Sequence, residues 1–222
     1  MAHRISATKT LSASNAAIIA GSQVPVSGAA LTLVGAGTVV LDTQRRVLLT
    51  FGNEAVARTL ALTGTDDTGN AISETLAVAS GAPGTVASVQ DFRSITLAMP
   101  AGGGWSAAAT LGTNSVGSTP WFILNPHITP FDVGVQTHLV SGAATWTIEV
   151  TRERVLSAMG IYNAGQAMTP PVPVPFGWPG LVGLAADATG SINSAVAAVR
   201  LTILSGTGTV LADMIQAGIT NT

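Results

Sequence analysis

The stretch Thr65-Asp66-Asp67-Thr68-Gly69-Asn70 is the densest set of chemically able side chains in this sequence. Asp67-Thr68-Gly69 is the triplet used by aspartic proteases, whose chemistry needs two carboxylates sharing one proton. A second copy is absent from the 222 residues, so the triplet would work only across a homodimer. Asp and Gly at such spacing are also ordinary turn residues, and a turn is the expectation here. Asp66, Asp67, Asn70 and Glu74 offer oxygens to a calcium ion, but their spacing is not that of an EF-hand loop and strand alternation would scatter them.

The three imidazoles, His3, His127 and His138, share no local metal-binding pattern, and cysteine is absent altogether. There is no Gly-x-Ser-x-Gly elbow and no phosphate loop. No catalytic, cofactor or metal residue is therefore assigned, and the chain is expected not to be an enzyme. Arg45-Arg46 and Arg152-Glu153-Arg154 are the local charge clusters, and arginines of this kind suit pairing across an interface.

The elements that would carry these residues read as strands. Val47, Leu49 and Phe51 alternate on one face, and Leu60 and Leu62 precede the acidic turn while Ile72, Leu76 and Val78 follow it, which predicts a hairpin. Ile95, Leu97 and Met99 predict one face of a further strand ending at Pro100. Around Ser141-Gly142, Phe131, Val133, Val135 and Leu139 predict one arm of a hairpin, and Trp146, Ile148 and Val150 the other, with Thr147, Glu149 and Thr151 outward. The chain closes on a comparable pattern, Val199, Leu201 and Ile203 before Ser205-Gly206-Thr207-Gly208 and Val210 after it, with Arg200 and Thr202 outward; this too predicts a hairpin.

Residues 1–30 are Ala/Ser-rich and predict an extended N-terminal arm. Residues 31–119 predict one β-sandwich module, and 120–222 a second β module containing the Pro-rich loop 152–180. The expected fold class is all-β, with antiparallel sandwich or jelly-roll-like modules. Within the loop, Pro171, Pro173, Pro175, Phe176 and Trp178 form a stiff, aromatic-bearing segment. Together with Arg45 and Arg46, these are the expected partner-binding residues.

Charged residues make up only 9% of the chain, against about 25% in an ordinary soluble domain. No run of about 20 apolar residues is present, so a membrane-spanning helix is not expected. The stretch Leu11–Gly21 is too interrupted to predict a signal peptide. Nine basic residues against eleven acidic give a net charge of −2, which favours neither nucleic acid nor an anionic membrane. So few charges suit a chain whose surface is covered by other subunits, a homo-oligomer among them.

The blocks "LALTGTDDTGNAISETLAV", "LGTNSVGSTPWFILN", "FDVGVQTHLVSGAATWTIEVTRE" and "AVRLTILSGTGTVLADMIQAG", in this order over roughly residues 40–219, resemble small structural proteins of tailed-bacteriophage virions. The resemblance implies a non-enzymatic virion component made in the host cytoplasm, with the major capsid protein or other virion proteins as partners and no cofactor. A capsid decoration or cement protein is the expectation. The alternative is a tail, baseplate or fibre component binding a receptor glycan through Trp105, Trp121 or Trp178.

Overall fold

The computed structural model describes residues 5–12, 18–35, 37–155, 162–163, 166–167 and 173–220. Every regular element in them is a β-strand, and the paired strands run antiparallel in sandwich-like modules. The chain divides into two compact units, with the division falling between Asn114 and Ser115. A central unit comprises Ser14–Asn114 with Tyr162–Thr169, and a flanking unit comprises Met1–Ala13, Ser115–Ile161 and Pro170–Thr222.

The N-terminal arm expected over residues 1–30 is not a free arm: its described residues include paired strands. Residues 1–30 contain two strands, β1 (Ile5–Ser12) and β2 (Ile18–Gln23). β1 pairs along its whole length with the last strand of the chain, and Leu11 is buried in that unit's core. Ile19 and Ala20 of β2 are fully buried in the central unit. An edge strand is held mainly by backbone hydrogen bonds, so one apolar anchor suffices and the alternation that signals a strand is faint.

The central unit continues with β3 (Val39–Phe51), β4 (Arg58–Thr65), β5 (Ala71–Val78), β6 (Gly84–Ala101) and the first part of β7 (Ala109–Ser118). Its strand order is β7-β3-β6-β4-β5, with β2 paired to β7. The hairpin around the acidic turn forms as expected, in unbroken register from Arg58↔Val78 to Thr65↔Ala71. Val47, Leu49 and Phe51 are buried together. The face assigned to Ile95, Leu97 and Met99 is corrected. A register shift between Thr63 and Gly64 exchanges the faces of β6, so Ile95 and Ala98 are buried while Leu97 is 37% exposed.

The flanking unit holds β8 (Phe122–Ile123), β9 (Ile128–Ser141), β10 (Ala144–Thr151), β13 (Phe176–Gly177), β14 (Ala188–Ile192), β15 (Ala198–Gly206) and β16 (Thr209–Thr220). The short pair β11 (Tyr162–Asn163) and β12 (Gln166–Ala167) belongs to the central unit. Two sheets face each other in the flanking unit. One has the order β1-β16-β9-β14, and the other contains β13-β10-β15 with β8 and the end of β7 also on β15. Val133, Val135, Val210 and Met214 of the first sheet meet Trp146, Ile148, Leu201 and Ile203 of the second in one core.

Both hairpins expected here are therefore corrected to arches. β9 and β10 are consecutive but lie in different sheets, and so do β15 and β16. The expected apolar faces do form the core, but they look at each other across a sandwich instead of lying side by side in a sheet. The faces expected to point outward are covered too: Thr147, Thr151, Arg200 and Thr202 are buried. The segment Thr119–Leu124 and the strap 176–184 cover that side, giving Thr119 N–H to Leu201 O and Gly183 N–H to Thr147 Oγ1.

Candidate functional site

The Asp67-Thr68-Gly69 triplet sits at the tip of the β4–β5 hairpin. It is Asp66, buried, whose carboxylate organises the tip: Oδ1 accepts the Thr68 and Asn70 backbone N–H groups at 2.9 Å each, and Oδ2 accepts from Asn70 Nδ2 at 3.2 Å. Gly69 supplies the positive φ of 82° that closes the turn. Glu74 faces elsewhere. Its two oxygens accept the Val89 and Gln90 N–H groups at 2.8 and 2.9 Å, tying β5 to the irregular stretch of β6.

Glu54 plays the same part in the central unit with full burial, accepting the Ser106 and Ala107 N–H groups at 2.9 and 3.1 Å with Arg58 Nε 3.6 Å away. No local sequence signal pointed to it. In these cases a carboxylate substitutes for a strand neighbour by satisfying backbone donors.

Of the expected partner-binding residues, Arg45 is buried and forms a two-point ion pair with Asp42, at 2.7 and 2.6 Å. That hydrogen bond holds the Asp42 carboxyl below its ordinary pKa. Arg46 is partly exposed, 3.6 Å from Asp91. In the Pro-rich segment, Pro173 is buried while Pro175 is exposed, and Phe176 lies under the Arg152 guanidinium, whose carbon is 5.8 Å from the ring centroid. Trp178 packs on the flanking core and donates its indole N–H to Ser191 O at 3.0 Å. Pro171 lies outside the described residues. The structure thus brings Pro173, Pro175, Phe176 and Trp178 onto one strap along β10, and Arg45 and Arg46 onto β3 of the other unit.

The strap is an edge cover. Phe176 and Gly177 pair with Val150 and Glu149, and beyond them Leu181 and Leu184 accept the N–H groups of Ile148 and Trp146. Proline beside an edge strand removes donors that another chain would use.

Three further groupings lie in the flanking unit. The Arg200 guanidinium stacks 4.6 Å above Trp121 and donates to Glu149 at 2.8 Å, and Glu149 also accepts Thr202 Oγ1 at 2.7 Å. No local sequence signal marks this polar cluster, because its members come from three separated segments. His138 Nδ1 lies 2.5 Å from Asp187, at the surface; the Leu139 N–H, and then His138, hold the Asp187 carboxyl below its ordinary pKa. A half-open cleft of about 570 Å³ is lined by Ile123, Leu124, Pro126, His127, Arg154 and Val155. His3 lies outside the described residues.

Apolar side chains are left at the surface of both units: Val24, Val26, Val34 and Val89 in the central one, Ile123 and Val174 in the flanking one, each more than half exposed. Fold and surface together define an all-β protein of two sheet-built units whose carboxylates brace backbone. No family model matches the chain, and no curated protein matches it. Among solved structures, one described as the crystal structure of PBSX exported protein XepA aligns over 90% of this chain and 85% of that one, at 10% identity and a TM-score of 0.29.

Proposed function

We propose that this chain is a non-enzymatic structural protein of a tailed-bacteriophage virion, decorating or cementing the head. Its partners on this reading are the major capsid protein and further copies of itself, and its place is the particle, after synthesis in the host cytoplasm. The carrying observation is the surface: exposed valines and isoleucine in both units on a chain only 9% charged. Such side chains gain roughly 25 cal/mol for each Å² of apolar area covered by a neighbour. The resemblance of the ordered β blocks to virion proteins supplies the phage assignment. The glycan-binding alternative is less well supported, since Trp178 is packed on the core with its N–H engaged and Trp105 is buried.

The test is the copy number of this chain in purified particles, by quantitative mass spectrometry against the major capsid protein. A number comparable with the major capsid protein supports the head reading. A number on the scale of one tail ring overturns it in favour of the tail, and absence from particles overturns the virion reading altogether.

A further inference from the structure

The arginines of this chain are few enough to account for one by one. Arg45 is paired with Asp42, Arg58 with Glu54 and Arg200 with Glu149. Arg152 lies on the Phe176 ring, Arg154 is exposed, and Arg4 lies outside the described residues. Arg93 differs from these. It is half-buried, its Nη1 is shut off from water without an acceptor, and it forms no ion pair among the described residues. The remaining residues hold no carboxylate side chain to offer it, because all eleven Asp and Glu residues of the chain are among the described ones.

The pairing of β3 with β6 sets a second arginine near it. Arg46 stands directly opposite Asp91, and Arg93, two residues beyond Asp91, shares its face of β6. Diagonal neighbours of this kind lie roughly 7–8 Å apart, within reach of long side chains. Asp91 is the more buried of the ion pair, 9% exposed, and Arg46 the more open, 39% exposed; Arg46 Nε is 3.6 Å from Asp91 Oδ1 and has no hydrogen-bond acceptor. Two guanidinium groups against one carboxylate leave the group one positive charge in excess.

We propose that Arg46 and Arg93 form a docking site for a carboxylate, supplied by a glutamate or aspartate side chain of a partner protein. The excess charge selects the occupant. A carboxylate carries one negative charge and neutralises the group, whereas a phosphate ester, with about −1.5 to −2 at neutral pH, overcompensates it beside Asp91. A partly dehydrated guanidinium gains more from an anion than one in bulk water, because the attraction is less screened and part of the dehydration has already occurred. Its fork of N–H groups matches the two oxygens of a carboxylate. Arg45 takes no part, since its guanidinium is bonded at two points to Asp42. The inference rests on the charges of the central unit and stands independently of any place in a virion.

The probe is a capped Gly-Glu-Gly tripeptide, with capped Gly-Gln-Gly as its uncharged control, titrated into the full-length chain at constant ionic strength and followed by amide nuclear magnetic resonance. The amides of Arg45, Arg46 and Val47 and those of Asp91, Phe92, Arg93 and Ser94 are expected to shift saturably with the glutamate peptide and to stay in place with the glutamine peptide. In Arg93→Met, which removes an uncompensated cation and is expected to keep the dispersed spectrum of the folded chain, binding is expected to weaken about tenfold or more. Arg93→Lys, which keeps the charge without the fork, is expected to fall between the two. No saturable shift with the glutamate peptide, or equal affinity in Arg93→Met, overturns the proposal. Saturation by inorganic phosphate or acetate, with none by the peptide, also overturns it, because the site then takes a free ion in place of a protein side chain.

Discussion

Glu54, Glu74 and Asp66 serve backbone donors outside the strand ladders, and the depth at which each does so sets its worth. Glu54 is fully buried, accepts two backbone N–H groups and lies beside Arg58, so Glu54→Ala leaves two donors without their acceptor and removes the counter-charge of Arg58, which keeps its bonds to the Gly102 and Gly104 carbonyls. That loss is expected to cost about 3 kcal/mol, the scale of breaking a buried charged network. Glu74 also accepts two N–H groups, but at the more open irregular stretch of β6, where water replaces it; Glu74→Ala is expected to cost about 1 kcal/mol. Urea midpoints of the two variants check the difference, and equal losses would show that burial does not decide it. The acidic turn was legible from its residue types, down to the hairpin it closes. Glu54 was not, because a lone glutamate after Asn53 carries no local pattern; its partners, Ser106 and Ala107, lie about fifty residues away.

At the scale of elements, periodicity told which side chains face inward and said nothing about which strand lies beside which. Alternation in β9, β10, β15 and β16 is satisfied equally by a hairpin folded in one sheet and by an arch spanning two. What separates the two is the turn. Gly142 has φ 67° and Gly206 φ 113°, and the two arch turns lie against one another, with the N–H groups of Thr207 and Gly208 both donating to Ala143 O at 2.8 and 2.9 Å. A Cβ on Gly206 would stand 2.3 Å from Ala143 O, well inside contact distance. Gly206→Ala is therefore expected to destabilise by roughly 2–3 kcal/mol or to prevent folding, combining positive-φ strain with a backbone clash. Gly104→Ala, where a Cβ meets nothing and φ is ordinary, is expected to change the thermal midpoint little. Matching midpoints for the two variants would mean that the arch turns are not packed as described.

Over the whole molecule, the chain leaves the flanking unit at the end of β1, builds the central unit, and returns at Ser115, so the flanking unit is assembled from segments far apart in sequence. This is why residues 1–30, taken by themselves, have the composition of an arm. β1 finds its partner in Thr209–Thr220, some two hundred residues on, and composition cannot reveal so remote a pairing. The consequence is a prediction about truncation. An arm could be removed with little effect on folding, whereas deleting residues 1–12 removes eight backbone pairs from β16 and the Leu11 anchor from the flanking core. Hydrogen exchange followed peptide by peptide should show the loss in β16 first and in β9 beside it, since β9 is the other neighbour of β16 in that sheet. Peptides covering β4 and β5 should keep their protection, because that hairpin belongs to the central unit and draws nothing from β1. Uniform loss across both units would mean that they unfold as a single cooperative body, and unchanged protection in β16 would mean that β1 is the detachable arm its composition suggested.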